Sequence, residues 1–380
     1  MGGRNGCVPN GRGGFRPITS PRISGRPFGG FCAMGARPSA ARLLEVIARF
    51  RGRRIVVVGD LIADEFVYGE IARISREAPV MILRFERKET QPGGCGNAAA
   101  NLAALGARVA VIGVVGRDAE GRAVLRALRK KGVDISAVSV VPGYSTPTKT
   151  RILAGSVHST RQQVIRIDRE PEAPPSESVV RALAERVREL AAAADGVILS
   201  DYHYGLVHPL MVNTVRPLAR RGVPVTVDSR HRLLEFEGFT SATPNQSEVE
   251  EVCGRHLDDL PTLERVGRAL RRRLKLSALL ITRGKEGMSL FQDGHPVVHL
   301  PIVGSREPVD VTGAGDTVIA TYTLALASGA SFLEAAHLAN HAGGLVVMKR
   351  GTATVGPEEL RASILSWDAH NERGEDSISR

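Results

Sequence analysis

From residue 54 onward, short apolar runs alternate with helical segments. RRIVVVGD reads as a buried strand ending at Gly59-Asp60, NAAANLAALGA (97–107) as a helix of small residues, and VAVIGVVG (109–116) as a second strand. AEGRAVLRALRKKG (119–132) follows as an amphipathic helix closed by Gly132. DGVILSD, VPVTVD and ALLITRG repeat the strand signal, each separated from the next by a helical stretch. This alternation predicts an α/β fold, a mostly parallel central sheet with helices on both faces. Ligands in such sheets sit beyond the carboxyl ends of the strands. Here those ends carry Asp60, Asp201, Asp228, Asn245 and Thr282-Arg283-Gly284.

Two regions follow a different period. FVYGEIARI (66–74), PVMILRFER (79–87), TPTKTRILAG (146–155) and QQVIRIDRE (162–170) alternate apolar and polar residues, as half-exposed strands do. They predict a small β-sheet projecting from the main one, serving as a lid, a dimer surface, or both. Residues 367–380, rich in charge and Ser, read as a flexible tail.

The chain has 380 residues and a net charge of +11, which suggests nucleic-acid binding until the charge is located. Eleven Arg and a single acid, Glu45, fall within residues 1–54, so the remainder carries a net charge of +1. The body of the protein is nearly neutral, and no nucleic-acid partner is expected for it. Residues 1–38 are rich in Gly, Arg and Pro without a hydrophobic period, and read as a disordered arm. Met34 would serve as an alternative start, and the Gly and Pro content argues against an amphipathic targeting helix. No apolar run approaches the roughly 20 residues of a membrane span. Cys7, Cys32, Cys95 and Cys253 lack metal-ligand spacing, and read as reduced thiols of a cytoplasmic protein.

The most informative stretch is DVTGAGDT, residues 310–317. The segment after Thr312 reads as an amphipathic helix, which places Gly313, Ala314 and Gly315 at its N-terminus. Bare backbone N–H groups at the positive end of a helix dipole make an anion hole that any larger side chain would block. Asp316, in the first turn, is placed to take a proton from a hydroxyl attacking a bound phosphoryl group.

DVTGAGDT resembles the C-terminal signature of the ribokinase-like (PfkB) carbohydrate kinases, and PGGCGNAAANLAALGARVAVIGVVGRD (92–118) their N-terminal signature. GDLIADEFVYGEIARISREAPV (59–80), STRQQVIRID (159–168), LSDYHYGLV (199–207), TPNQSEVE (243–250), LLITRGKEGMSL (279–290) and KRGTATVGPEEL (349–360) are similar to the kinase domain of the ADP-heptose biosynthesis enzymes. The resemblance runs from about Arg54 to Ser366, within a kinase domain set at 39–366. It implies a ribokinase-like fold and an ATP-dependent transfer to the anomeric O1 of D-glycero-D-manno-heptose 7-phosphate. It also implies a homodimer paired through the lid strands.

Carried onto this chain, the resemblance makes Asp316 the catalytic base beside the anion hole of Gly313, Ala314 and Gly315. Asn245, Gln246, Ser247 and Glu248 would serve the ATP phosphates and Mg²⁺, Glu248 through water. Thr282, Arg283 and Gly284 fall at a nucleotide-facing strand end. Asn340 and Gly351 fall near the adenine pocket and, in relatives, a monovalent-cation site for an ion such as K⁺. For the sugar, Asp60, Asp64, Asn97 and Asp310 offer polar groups, and Gly93 and Gly94 allow close approach. Arg73, Lys149, Arg151 and Arg166 are candidates for the sugar's phosphate.

Some positions depart from the family pattern. Tyr204 stands where the heptose kinases show Lys in SDYxKG, Asp228-Ser229-Arg230-His231 replaces DPKG, and GGCGN replaces GGAAN. These leave the phosphoryl-transfer residues intact and bear on substrate identity. The alternatives are a kinase for another sugar or sugar phosphate, and an inactive sugar- or nucleotide-binding protein. A nicotinamide oxidoreductase would need GxGxxG after the first strand, where the chain has GDLIAD.

Overall fold

The computed structural model describes residues 38–155 and 161–378. The 1–38 arm, except Pro38, lies outside the described residues. In chain order the elements begin with α1 (Ala40–Ala48), β1 (Arg54–Gly59), β2 (Leu61–Ile74), β3 (Met81–Gly94), α2 (Cys95–Ala104) and β4 (Arg108–Gly116). Next come α3 (Ala119–Lys130), β5 (Asp134–Val141), β6 (Thr148–Gly155), β7 (Gln162–Arg169), α4 (Glu177–Ala191), β8 (Gly196–Asp201), α5 (Pro209–Arg220) and β9 (Val225–Ser229). The chain continues through β10 (Ser241–Ala242), α6 (Gln246–Cys253), α7 (Leu260–Arg273), β11 (Ala278–Thr282), β12 (Met288–Gln292) and β13 (Val298–Leu300). It closes with α8 (Ala314–Ala327), α9 (Phe332–Val346) and α10 (Pro357–Ile378).

The main sheet has the order β13-β12-β11-β10-β9-β8-β1-β4-β5. It is parallel from β11 to β5, and β12 and β13 add an antiparallel edge. β1 shows why its run is apolar without alternation: Ile55 and Val57 enter one core while Val56 and Val58 enter the other. The first core is closed by α1, α2, α3, α8, α9 and α10, through residues such as Leu43, Leu102, Leu128, Tyr322, Leu338 and Leu360. The second is closed by α4 to α7, through Val187, Met211, Val249 and Leu270. The parallel strands therefore deliver their carboxyl ends to one edge, as the alternation predicted.

The four alternating segments form the expected second sheet, in the order β3-β2-β6-β7. β2 and β3 are longer than their alternation suggested, because the inner end of β2 is buried at every position, Asp64 and Glu65 included, and that of β3 runs through polar residues into Gly93-Gly94. Asp64, Phe66 and Tyr68 of β2 stand opposite Gln91, Glu89 and Arg87 of β3, while Asp64 and Phe66 stand beside Lys149 and Arg151 of β6. The outer halves expose Ile74, Met81 and Phe85, and β7 exposes Ile165 and Ile167.

Two details differ from the sequence reading. α8 is buried from Asp316 to Ala325 instead of showing one wet face. Its polar residues are satisfied internally: Thr321 and Thr323 hydroxyls donate to carbonyls four residues back, and Tyr322 pairs with Ser241 at 3.2 Å. The segment expected to be a loose tail is largely helical, since α10 continues to Ile378. Trp367 holds this extension by packing its ring 5.6 Å from His337 and 5.4 Å from His341.

Candidate active site

Gly313 caps α8 with φ +75°, so Ala314, Gly315 and Asp316 are its first three helical residues. Only glycine fits the cap, because a Cβ there would collide with the Asn97 amide. A Cβ on Gly315 would meet nothing within 4 Å, so that backbone opens outward. It opens onto a cavity of about 190 Å³ lined by Thr282, Gly284, Ala314, Gly315, Asn340 and Gly344, among others. The glycines therefore do two jobs, one fitting the chain to α2 and the other keeping the helix N-terminus bare.

Asp316 is buried, and both its oxygens are held. The Asn97 amide donates to Oδ2 at 2.9 Å and the Tyr202 hydroxyl donates to Oδ1 at 3.0 Å. Burial pushes its pKa up to about 7, with Asp228 and Asp64 adding negative charge, while the two hydrogen bonds oppose the rise. A carboxylate poised near neutrality is matched to proton abstraction.

Around this centre the strand ends converge. Asp60, also raised to about 6 mainly by burial, accepts backbone N–H bonds from Tyr202 at 2.9 Å and Tyr204 at 3.2 Å. It thus pins the loop after β8. Gly93 lacks a Cβ where one would strike the Asp64 carboxylate, and Gly94 (φ +56°) caps α2. Asp64 is bonded to Arg151 at 2.5 Å. Lys149 is buried beneath Tyr202, its ammonium 4.8 Å from the ring centroid, and burial lowers its pKa. Arg230 lies over the same ring at 5.3 Å.

The remaining candidates divide. Asn245 and Glu248 form a reciprocal capping box on α6, at 2.9 and 2.8 Å. Burial raises Glu248 and, with Glu248's own charge, raises Asp228. Two such carboxylates are a donor set suited to a hard cation like Mg²⁺. Gln246 instead turns to Glu250 and the Leu257 carbonyl, and Ser247 is exposed. Arg283 has a buried Nε without a partner. Asn340 donates to the Pro301 carbonyl at 2.7 Å while lining the cavity. Asp310 spends its oxygens on the N–H groups of Thr312 and Gly351, both at 2.9 Å, joining two loops. Arg166 stands opposite Arg151 on the lid but is paired with Asp168 at 2.9 Å. Arg73 is nine residues along β2 from Asp64, roughly 30 Å at strand rise, and is not brought to the site within one chain.

Tyr202 and Arg230 are residues to which the sequence reading gave no role in the site, and Asp228 had been singled out only as a strand end. Each follows or ends a strand whose end had been singled out, and that position was the available signal.

Residues 53–359 match the pfkB family of carbohydrate kinases. The bifunctional protein HldE of Geobacter metallireducens is 43% identical over 321 residues, covering 84% of this chain and 64% of that protein. HldE of Pseudomonas aeruginosa is 40% identical, covering 86% of this chain and 66% of that protein. The chain thus spans just under two thirds of the length of these relatives. Among solved structures, Arabidopsis thaliana ribokinase complexed with ribose and ATP superposes with a TM-score of 0.63 at 23% identity, covering 83% of this chain and 98% of that one. Escherichia coli phosphofructokinase-2 in complex with potassium gives 0.68 at 20% identity, covering 83% and 99%. The fold is ribokinase-like, and the chain belongs to the pfkB family of carbohydrate kinases.

Proposed function

We propose that this carbohydrate kinase transfers the γ-phosphoryl group of ATP to O1 of D-glycero-D-manno-heptose 7-phosphate, giving the 1,7-bisphosphate. The observation that carries the reading is that Asp316 follows directly on the bare helix start, whose Ala314 and Gly315 line the cavity shared with Thr282 and Asn340. Asp316 takes the proton from O1 as that oxygen attacks phosphorus and ADP leaves. The N–H groups at the start of α8 bind the transferring phosphoryl oxygens. Asp228 and Glu248 would hold Mg²⁺, Glu248 through water; the ion would neutralise phosphate charge when bound. The sugar's own phosphate needs cations outside the nucleotide cavity. Lys149, Arg151 and Arg166 supply them on one lid face, with Asp60, Asp64 and Asn97 near the hydroxyls.

The HldE relatives support the heptose phosphate as substrate. The unpaired Cys95 and Cys253 suit a cytoplasmic location. The exposed Phe85, Ile165 and Ile167 support a homodimer through the lid strands. Light scattering on Phe85→Glu would show loss of the dimer. The function itself is tested by ATP-to-ADP conversion with Mg²⁺ on heptose 7-phosphate, fructose 6-phosphate, ribose and no sugar. Turnover confined to the heptose phosphate and lost in Asp316→Asn supports the reading. Turnover confined to another sugar would replace the substrate and keep the mechanism.

A further inference from the structure

Tyr202 is held at three points. Its backbone N–H is bonded to Asp60, its ring packs against Lys149 at 4.8 Å and Arg230 at 5.3 Å, and its hydroxyl donates to Asp316 Oδ1 at 3.0 Å. The loop bends sharply to place it there. His203, the next residue, sits at φ +69°, a left-handed conformation uncommon for a residue with a Cβ. Its N–H is tied back to Asp201 at 3.2 Å, and the Tyr204 N–H returns to Asp60. Backbone held in such a conformation by its surroundings clusters at functional sites.

We propose that Tyr202 is a positioning residue for the base, its hydroxyl and the Asn97 amide together fixing the plane of the Asp316 carboxylate. The inference rests on the kinase reading above. With one donor on each oxygen, each still keeps a lone pair for the substrate proton. Tyr202 does not compete as a base, because burial and the nearby Asp316 hold its hydroxyl protonated well above the ordinary tyrosine range. Lys149 and Arg230, which grip the ring, have no carboxylate bonded to them among the described residues. The residue that aims the base therefore also lies against the cations available to a phosphate.

The other groups acting on Asp316 are the Asn97 amide and the ionisable Asp228, Asp64 and Cys95. All are unchanged in Tyr202→Phe, which deletes only the hydroxyl and keeps the ring against Lys149 and Arg230. The experiment is a ¹³C-carboxyl NMR titration of the full chain, the Asp316 signal being identified by its loss in Asp316→Asn. In Tyr202→Phe the Asp316 midpoint should rise by about one pH unit, the worth of a hydrogen bond to a charged group. The turnover number should fall about tenfold with KM for ATP within twofold, and the acid limb of the rate profile should move up with the NMR midpoint. Biosynthetic 3-fluorotyrosine, a stronger donor that leaves the fold intact, should move the midpoint down. An unmoved midpoint in both proteins would overturn the proposal, as would a rate loss with an unmoved pH profile. If wild type turns over no acceptor, the kinase reading fails, while the titration still decides whether Tyr202 holds Asp316.

Discussion

Asn97 and Asp316 occupy the same place in two helices: each is the third helical residue after a glycine cap of positive φ, Gly94 and Gly313, and their side chains meet at 2.9 Å. Two helix N-termini thus point at one spot, concentrating positive potential where phosphate charge is to be held. Asn97 also donates to the Gly313 carbonyl at 3.3 Å and is itself held by Asn101.

Asn97→Ala removes a bond to a charged group and frees the carboxylate to rotate. We expect the turnover number to fall about 10- to 100-fold, with a smaller change in KM for ATP. Steady-state kinetics check this, and an unchanged turnover number would mean that α2 plays no part in aiming the base.

Asp316→Asn should trade activity for stability. Burial raises Asp316 to about 7, so between about pH 4 and pH 7 the folded chain keeps a proton that the unfolded chain has released. Its contribution to stability therefore declines as pH rises through that window and levels off above it. The amide cannot ionise, so the variant should melt at higher temperature than wild type at pH 8, with the gap closing towards pH 4. Turnover should drop by about 10² to 10⁴. Thermal melts across pH test the sign: a variant less stable than wild type at pH 8 would show that the charged form is well accommodated.

Asp228 and Glu248 give a metal-linked version of the same effect. Both are raised by burial, so a divalent cation that favours their charged forms should stabilise the fold, most visibly at pH 8. Glu248→Gln keeps the capping box with Asn245, since Gln serves equally at that position. It should nevertheless shrink the rise in melting temperature on adding Mg²⁺, and chelation should erase the difference. An equal Mg²⁺ response in both proteins would remove Glu248 from the metal site.

The sheet was legible because β1 is apolar on consecutive positions, as a strand covered on both faces requires, and such runs recur in alternation with helical segments. The lid was legible from alternation, but its inner ends were not: Leu61–Phe66 are buried at every position, Asp64 and Glu65 included, so no period of two shows there. Short antiparallel additions such as β13, three residues long, left too few positions to show a period. At the site, the glycine-capped starts of α2 and α8 were legible because local spacing dictates them, whereas Asn97 was read as a sugar group and its bond to Asp316, across 219 positions, was not. Nor was Tyr202 legible, since its bond to Asp316 spans 114 positions and depends on the loop bend at His203. Asp310 was read as a sugar ligand, yet its carboxylate is bonded to backbone N–H groups of two loops, a relation that spacing does not reveal.

The two glycines of the motif should separate cleanly by substitution. Gly313→Ala places a Cβ on a left-handed residue and against the Asn97 amide, so it should lower the melting temperature and activity together. Gly315→Ala meets no atom within 4 Å, and alanine is the better helix former by about 1 kcal/mol, so the fold should be unharmed or slightly stabilised. Its methyl group would stand where phosphate must approach the N–H groups of α8. KM for ATP should therefore rise, or the turnover number fall, by about tenfold or more with the melting temperature preserved. Kinetics and melts on the two variants make the comparison. A Gly315→Ala protein with wild-type kinetics would show that the start of α8 binds no phosphate, and the bare helix terminus would then serve only the contact between α2 and α8.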